Sequence, residues 1–528
     1  MVPRRAMVEA KRYPPGIPYI IGNEGCERFS YYGMRAILFV YMVSLFGQQL
    51  AQKAAEDKAT NRIHLFFAGV YAFPMIGAII SDRLLGKYRT IFWLSLVYCM
   101  GHAALAVVGT TEYGLYFGLA LIALGSGGIK PCVSAQVGDQ FSAENESLVT
   151  NVYQAFYFII NFGSFFATLL IPVLLAEYGS EVAFGVPGIL MFIATVVMWM
   201  GRNKFVRVPP KPGGKLGLLD TFSSVALFMT FGSLFFTSGA SLVVRIGVGA
   251  ACFALGAVLF AVRQGIEQDS GFLAVLVYSL QNQAKKKPGE GFFSVAREKF
   301  GDEAAEGPPA VIRIAIVFSM VSVFWALFDQ HASSWINQAG KMNLTVNLPF
   351  VGEKTLKASQ IAALNPLMVM LIIPFLNFAV YPVLTKLGLK LTPLRKMASG
   401  MFLTAFSFIV VALLHARIEA LAAAGEKVTV LWHIVPYLII TTAEVLVSAT
   451  GLEFAYTQAP RSMKSTIMGF WLLAVTLGNL LVAFLAGFSA LSLEQFFWTF
   501  AGLMAVAAAI FSVLAHFYKE KTYLQAAR

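Results

Sequence analysis

Six polar side chains interrupt an apolar stretch near the start of the sequence, which runs from Gly16 to Phe46. They are Glu24, Glu27, Arg28, Tyr31, Tyr32 and Arg35. At 100° per residue they occupy an arc of about 140° along about 16 Å of helix, so they form one stripe. An ionised group turned towards lipid costs roughly 2.5–3.5 kcal/mol, so we expect the stripe to face a wet cavity. Ion pairs that only hold helices together are the alternative.

Other charged or polar side chains lie singly inside later apolar stretches. Lys130 follows the glycine-rich segment 125–128, which lacks the Gly-Lys adjacency and the following Ser or Thr of a phosphate-binding loop. We therefore interpret Lys130 as a buried cation that needs an anionic partner or substrate. Glu444 is the corresponding acid, because an intramembrane Glu is costly unless it serves a function. The further candidates are Tyr71, Tyr157, Asn161, Trp325, Asp329, Asn365, Ser448 and Trp471.

Three side chains allow a second interpretation. His64 could carry protons, but a hydrogen-bonded histidine between helices fits equally well. Trp325 and Trp471 would more often be packing residues, although beside charged groups they could border pockets for a substrate.

The composition is that of a polytopic membrane protein in a lipid bilayer. Of the 528 residues, 58% are hydrophobic and only 13% are charged, whereas a soluble protein carries about a quarter charged residues. The net charge of +12 does not indicate a nucleic-acid partner, because Lys and Arg lie in short loops between apolar stretches. The cysteines show no CxxC or His/Cys ligand spacing, so we expect no disulfide framework, no metal site and no cofactor.

Stretches long enough to cross a bilayer fall into two groups of six. The first group lies at about 17–46, 61–84, 89–109, 113–135, 148–175 and 183–203. The second lies at about 310–338, 358–388, 393–416, 428–458, 463–489 and 492–518. Six plus six is the pattern of a transporter whose site lies between two bundles. With two further stretches between the groups, the predicted fold class is an all-α membrane protein with 14 transmembrane helices.

The predicted domains follow this division. They are a tail 1–16, an N-terminal six-helix bundle 17–203, a linker 204–308 with extra helices at about 217–238 and 240–264, a C-terminal six-helix bundle 309–520 and a tail 521–528. Basic residues concentrate in the loops on one side, which predicts that both termini are cytoplasmic. One of these loops, 77–89, contains Asp82 and Arg83. The acid suggests a gating role there, and positive-inside anchoring alone is the alternative.

Several motifs resemble one family. The stripe Glu24-x-x-Glu27-Arg28-Phe-x-Tyr31-Tyr32-Gly-x-Arg35 resembles the first-helix motif of the proton-dependent oligopeptide transporter (POT) family, a branch of the major facilitator superfamily. Segment 77–89, the segment around Lys130, and segments 138–141 and 443–460 with Trp471 extend the likeness. The inserted helix pair resembles that of bacterial members. The resemblance implies a proton-coupled symporter that imports di- and tripeptides by alternating access, without a cofactor. It would be a monomer in the bacterial inner membrane.

The resemblance and the charges together imply roles for the candidates. The peptide carboxylate would meet Arg28 and Lys130, and the amine would meet Glu444, Asn161 and Asn365. The full peptide-binding set is Arg28, Tyr31, Tyr32, Arg35, Tyr71, Lys130, Tyr157, Asn161, Trp325, Asn365, Glu444, Ser448 and Trp471. The proton-coupling set is Glu24, Glu27, Arg28, His64 and Glu444. The gating set is Arg35 with Asp329, and Asp82 with Arg83.

Two alternatives to this function remain at the level of the sequence. A carrier of another anionic or zwitterionic solute, such as nitrate or an amino acid, would use the same charges. An integral membrane enzyme is disfavoured, because no loop contains a nucleophile, metal or cofactor motif. His331 departs from the family, which usually has a small residue at this position.

Overall fold

The computed structural model describes residues 13–142, 145, 148–236, 241–268, 271–348, 352–389, 391–458, 464–487 and 491–518. The two predicted tails lie outside these residues, except for 13–16.

Long helices form the N-terminal half. They are α1 (Ile17–Gly47), α2 (Gln52–Ile80), α3 (Lys87–Val108), α4 (Glu112–Asp139) and α5 (Val149–Met200). A π-helical turn, Ser81–Leu85, continues α2 towards α3. Within α5, Gly179 has φ 80° and ψ −179°, a conformation that essentially only glycine adopts without strain. Gly179 therefore divides α5 into two membrane-spanning parts.

The segment between the two halves contains more helix than the sequence predicted. The inserted pair is α6 (Gly214–Phe236) and α7 (Leu242–Ile266), close to the expected bounds. Two short helices follow, α8 (Phe272–Gln281) and α9 (Arg297–Phe300). Val275 of α8 packs with Phe293 and Ala296, which precede α9, in a small apolar core. This segment is thus a packed unit rather than an extended linker.

The C-terminal half has shorter helical pieces. They are α10 (Asp302–Phe328), α11 (Ser334–Gly340), α12 (Leu364–Phe375), α13 (Tyr381–Lys386), α14 (Pro393–Ala423), α15 (Ile434–Glu444), α16 (Thr450–Gln458), α17 (Lys464–Ala486) and α18 (Leu493–Phe517). The π-helical turns Leu376–Val380 and Val445–Ala449 join α12 to α13 and α15 to α16. Strands β1 (Thr345–Leu348) and β2 (Gly352–Thr355) pair as an antiparallel hairpin.

The number of spans agrees with the sequence. Thirteen stretches of described helix are long and apolar enough to cross a membrane, and one of them, Asn151–Asn203, has 53 residues. At 1.5 Å per residue that stretch would be roughly 80 Å long, far more than a hydrocarbon core of about 30 Å requires. Because Gly179 divides it, the stretch accounts for two spans and the total is 14.

Three details of the second half differ from the sequence prediction. The first helix of the C-terminal bundle begins at Asp302 rather than 309 and contains Pro308 and Pro309, although proline disfavours a helix interior. The predicted span 310–338 is broken by a 3₁₀ turn, Asp329–Ala332. The β-hairpin was not predicted, because its strands are short and polar.

Each bundle has its own apolar core, and the described hydrogen bonds between the bundles gather at one end. Gln360 Nε2 donates to Leu169 O at 2.7 Å, Asn61 Nδ2 to Ala483 O at 2.6 Å and Asn337 Nδ2 to Glu56 Oε2 at 2.9 Å. We call this end, which carries β1 and β2, the hairpin end. The opposite end, where α1 begins and α18 ends, is the terminal end.

Candidate functional site

Arg28 is held between two carboxylates on α1. Its Nε lies 2.5 Å from Glu24 Oε1, four residues earlier and one turn away, and 3.1 Å from Glu27 Oε2. Both glutamates are 2% exposed, and the arginine side chain is 11% exposed. Arg28 compensates part of the charge of these two buried carboxylates, since buried charges need partners of opposite sign. A proton added to either glutamate would weaken its attraction for Arg28.

Lys130 on α4 lies between two tyrosine rings. Its Nζ is 4.4 Å from the centroid of Tyr31 on α1 and 4.6 Å from that of Tyr71 on α2, within the range of a cation–π contact. A close crossing of α2 and α4 makes this arrangement possible, because a Cβ on Gly77 would lie 2.4 Å from the Cα of Gly128. The small residues around Lys130 therefore allow the helices to pack closely.

Glu444 is the main charge of the C-terminal half of the site. Asn365 Nδ2 donates to Glu444 Oε2 at 2.7 Å, and the same amide contacts Thr441 Oγ1 at 3.2 Å. Tyr32 and Tyr157, both on the N-terminal half, lie within electrostatic range of Glu444. The carboxylate thus faces the opposite bundle while an amide of its own bundle orients it.

The helix containing Glu444 changes its winding directly after this residue. The π-helical turn Val445–Ala449 begins there and contains the half-buried Ser448. Such turns are rare and occur frequently at functional sites. On the other bundle, Asn161 Nδ2 donates to the Tyr157 carbonyl of its own helix at 3.0 Å.

Trp325 and Trp471 pack together in the C-terminal bundle. Their rings meet edge to face with centroids 6.1 Å apart, and both residues are at most 8% exposed. A Cβ on Gly451 would lie 2.3 Å from the Trp471 ring, so this glycine makes room for the indole. Both tryptophans thus pack within the bundle, and the buried Trp325 Nε1 has no hydrogen-bond partner among the described residues.

Arg35 and Asp329 form an ion pair between the bundles, with Arg35 Nη2 2.7 Å from Asp329 Oδ1. The guanidinium also lies 4.4 Å from the centre of the Phe67 ring. The second oxygen of Asp329 accepts a hydrogen bond of 2.7 Å from Asn479 Nδ2 on α17. Because Arg35 lies on α1 and Asp329 follows α10, this contact joins the two halves of the molecule.

His64 belongs to the same network. Its Nδ1 lies 2.7 Å from Asn479 Oδ1 and its Nε2 2.8 Å from Ser333 Oγ. With the Asn479 amide nitrogen directed at Asp329, its oxygen faces His64, so the hydrogen of a neutral imidazole is assigned to Nδ1. His64 is therefore a hydrogen-bonded histidine between helices, and this position is compatible with a proton-carrying role as well.

Sequence reasoning missed two members of this network, Asn479 and Ser333. A signal for Asn479 was available, since an amide in the apolar stretch of α17 needs a partner within the membrane. Ser333 carried no such signal, because it follows a 3₁₀ turn that the sequence did not predict.

The loop residues Asp82 and Arg83 lie at the terminal end, apart from the other candidates. Arg83 Nη1 is 3.5 Å from Asp220 Oδ2 on the inserted helix α6, and Asp82 is exposed. Nearby, Lys87 Nζ pairs with Asp139 Oδ2 at 2.5 Å.

The structure divides the proton-coupling candidates into three separate groups: Arg28 with its glutamates, His64, and Glu444. Among the described residues, no group of three His, Cys, Asp or Glu side chains is arranged to hold a metal ion.

The fold and this site define a membrane transporter of the major facilitator type: two six-helix bundles with charged groups buried where the bundles face each other. A family model described as "PTR2: POT family" matches residues 88–499. The chain belongs to the POT family, which places it among transporters and not among enzymes.

Relatives and solved structures agree with this assignment. The chain is 34% identical to human "Solute carrier family 15 member 2" over 427 residues, which is 78% of this chain and 50% of that protein. It is 31% identical to "Peptide transporter 3" of Caenorhabditis elegans over 433 residues, 79% of this chain and 53% of that protein. The chain thus spans about half the length of the curated relatives it matches.

Two crystal structures of similar proteins cover nearly the whole chain. The POT family transporter PepTSo is 39% identical, with a TM-score of 0.77 over 96% of this chain and 98% of that one. An auto-inhibited POT family peptide transporter is 36% identical, with a TM-score of 0.78 over 97% and 99%.

Proposed function

We propose that this chain is a proton-coupled symporter that imports di- and tripeptides by alternating access. The observation that carries the proposal is the opposition of charge between the bundles. Arg28 and Lys130 lie on the N-terminal bundle and Glu444 on the C-terminal bundle. A short peptide carries a carboxylate at one end and an ammonium group at the other, so it complements this separation. The names of the relatives, which are peptide transporters, support the same substrate class.

We assign the peptide carboxylate to Arg28 and Lys130 and the amine to Glu444, Asn161 and Asn365. Lys130 is restrained by two aromatic rings and its ammonium group retains the capacity to bind an anion. The remaining candidates, which would border the peptide, are Tyr31, Tyr32, Arg35, Tyr71, Tyr157, Trp325, Ser448 and Trp471.

Proton coupling is proposed to act through the carboxylates beside Arg28. When Glu24 or Glu27 takes up a proton, Arg28 loses part of its compensation and becomes available to the peptide carboxylate. When the proton leaves, the carboxylate competes for Arg28 again and the peptide is released. One proton that enters down about 100 mV supplies roughly 2.3 kcal/mol, enough for about a fiftyfold accumulation of a neutral solute.

We further propose that the protein lies in the bacterial inner membrane with both termini in the cytoplasm. The support is the bias of basic residues towards the terminal end, where Arg83 and Lys87 lie. A single chain is the proposed functional unit, since it contributes both halves of the site.

The test is uptake of labelled dialanine by the purified protein in proteoliposomes. Under an inward proton gradient we expect accumulation that collapses when a protonophore is added. Unlabelled di- and tripeptides should compete, whereas free alanine and nitrate should not. Competition by the amino acid or by nitrate, with none by peptides, would contradict the peptide assignment and favour another zwitterionic or anionic solute.

A further inference from the structure

A second set of buried polar groups lies inside the N-terminal bundle, on the side of α1 away from Glu444. Seven side chains belong to it, and none is more than 2% exposed: Asn23, Glu27, Ser30, Ser95, Tyr98, His102 and Ser126. We call them the inner polar cluster. Only Glu27 among them belongs to the site described above.

The cluster is built by helix periodicity. On α1, Asn23, Glu27 and Ser30 are spaced by four and three residues, so they share one face. On α3, Ser95, Tyr98 and His102 are spaced in the same way by three and four residues. The two faces meet where Ser30 Oγ lies 2.9 Å from His102 Nε2. The rings of Tyr98 and His102 stack with centroids 5.1 Å apart and an angle of 20° between their planes.

Most of these side chains have a polar atom without a protein partner. The atoms are Asn23 Oδ1, Glu27 Oε1, Ser95 Oγ, Tyr98 Oη, His102 Nδ1 and Ser126 Oγ. The Tyr98 hydroxyl faces Ser126, but neither forms a well-aligned hydrogen bond. Buried polar groups in proteins nearly always have a partner, and where the protein supplies none, ordered water usually does. We therefore expect ordered water beside these atoms.

Glu27 is the member of the inner polar cluster that connects it to the proposed peptide site. The charges of Glu24, Arg28 and Lys130 interact electrostatically with Glu27, on the side that faces the proposed peptide site. The charges of Glu27 and Arg28 also interact electrostatically with the Tyr98 hydroxyl. No charged side chain among the described residues acts on His102, which packs against Gly188 of α5. The cluster thus connects one carboxylate at the site with one imidazole deep in the bundle.

We propose that Tyr98 and His102 are positioning residues, which hold ordered water behind α1 and orient it towards the Glu27 carboxyl group. This water donates a hydrogen bond to the Glu27 carboxylate and accepts one from the carboxylic acid, so it stabilises both protonation states of Glu27. No proton is transferred to His102, whose neutral imidazole orients the water, because no charged side chain among the described residues would compensate an imidazolium there. The Tyr98 hydroxyl can both donate and accept a hydrogen bond in this arrangement. The inference rests on the proposed proton-coupled transport.

The decisive variant is Tyr98→Phe, which removes one oxygen and keeps the ring. The matched control is Tyr41→Phe, because Tyr41 is also in the N-terminal bundle but donates to Gly109 O at 2.9 Å, outside the cluster. We expect Tyr98→Phe to lower the initial rate of proton-driven dipeptide uptake by about tenfold or more and to change its pH profile. Counterflow of labelled against unlabelled peptide should stay at the wild-type rate. His102→Gln, which can still contact Ser30, should likewise lower proton-driven uptake and leave counterflow unchanged.

A second measurement needs no peptide. Infrared difference spectra across a pH step should contain a carboxyl band that is absent in Glu27→Gln, together with a buried-water band that shifts in oxygen-18 water. We expect the water band to be lost in Tyr98→Phe and retained in Tyr41→Phe. Wild-type uptake and an unchanged water band in Tyr98→Phe would overturn the inference. If the wild-type protein took up no peptide, the proposed function would fail, while the infrared comparison would still decide the inference.

Discussion

Single charged residues carry most of the proposed chemistry, and the structure shows how each is compensated. Arg28 has two carboxylates, Lys130 has two aromatic rings, and Glu444 has the Asn365 amide. Lys130 and Glu444 lie on different bundles, and in the described part of the chain they form no ion pair with each other. Each therefore retains binding capacity for a charged end of a substrate.

The first prediction concerns these two ends of the peptide. Lys130→Ala and Glu444→Ala should each lower dipeptide uptake by at least about tenfold, since a hydrogen bond to a charged group contributes roughly 1.5–3 kcal/mol. The measurement is uptake in proteoliposomes, with size-exclusion chromatography in detergent to verify folding. Lys58→Ala is the control, because Lys58 forms its 2.8 Å ion pair with Glu112 near the hairpin end of one bundle. Near-wild-type uptake in either site variant would remove that residue from the site.

The second prediction separates coupling from binding at Glu24 and Glu27. Replacement by Gln mimics the protonated acid permanently, so Arg28 is partly released but no proton can be carried. Accumulation driven by a pH gradient should fail in Glu24→Gln and in Glu27→Gln, whereas counterflow of peptide should persist in at least one of them. His64→Gln, assayed in parallel, shows whether the histidine is also required. Continued accumulation in both Glu variants would mean that the proton takes another route.

At the scale of elements, the inserted pair is attached to the loop between α2 and α3. Asp220 on α6 lies 2.7 Å from Arg263 on α7 and 3.5 Å from Arg83. A Cβ on Gly217 would lie 1.9 Å from the carbonyl oxygen of Arg83, so the backbones are in direct contact. Lys211 N also donates to the Asp82 carbonyl at 2.8 Å. The inserted helices, with the segment before α6, thus hold the loop between α2 and α3 in place. The sequence suggested a gating role for this loop.

The third prediction tests whether Asp220 stabilises this attachment. Asp220→Asn leaves the buried Arg263 without a carboxylate, and breaking a buried pair in this way costs roughly 3–5 kcal/mol. We expect a lower Tm of the detergent-solubilised protein and faster proteolysis of the α6–α7 segment. Asp302→Asn is the control, because its pair with Arg297 is exposed and should contribute little. An unchanged Tm in Asp220→Asn would show that the backbone contacts alone attach the pair.

At the scale of the whole molecule, the described hydrogen bonds between the bundles gather at the hairpin end. The network of Arg35, Asp329, Asn479 and His64 joins them there. Alternating access requires such contacts to break when the site opens to this side. Because the two states of a carrier differ by a few kcal/mol, the loss of one buried ion pair is enough to change their populations.

The fourth prediction follows from this network. Asp329→Asn should open the hairpin end and impair transport, since Arg35 would lose its counter-charge. Spin labels at Gln49 and Glu353, one on each bundle, should report a longer distance in Asp329→Asn than in the wild type. Lys58→Ala breaks an ion pair within one bundle and should leave the distance unchanged. An unaltered distance in Asp329→Asn would exclude the proposed gate.

The sequence by itself determined the membrane class, the number of spans and the family. These follow from the cost of exposing polar groups to lipid, which forces long apolar stretches and makes each buried charge conspicuous. Periodicity also placed Glu24, Glu27 and Arg28 on one stripe. The family resemblance also implied the pair of Arg35 with Asp329. Only the tertiary structure showed that Asn479 and His64 join this pair, because these residues meet across hundreds of residues and across a broken helix. It alone also showed that polar residues of α3 lie near Glu27 and Ser30, because α1 and α3 meet only after the helices have packed.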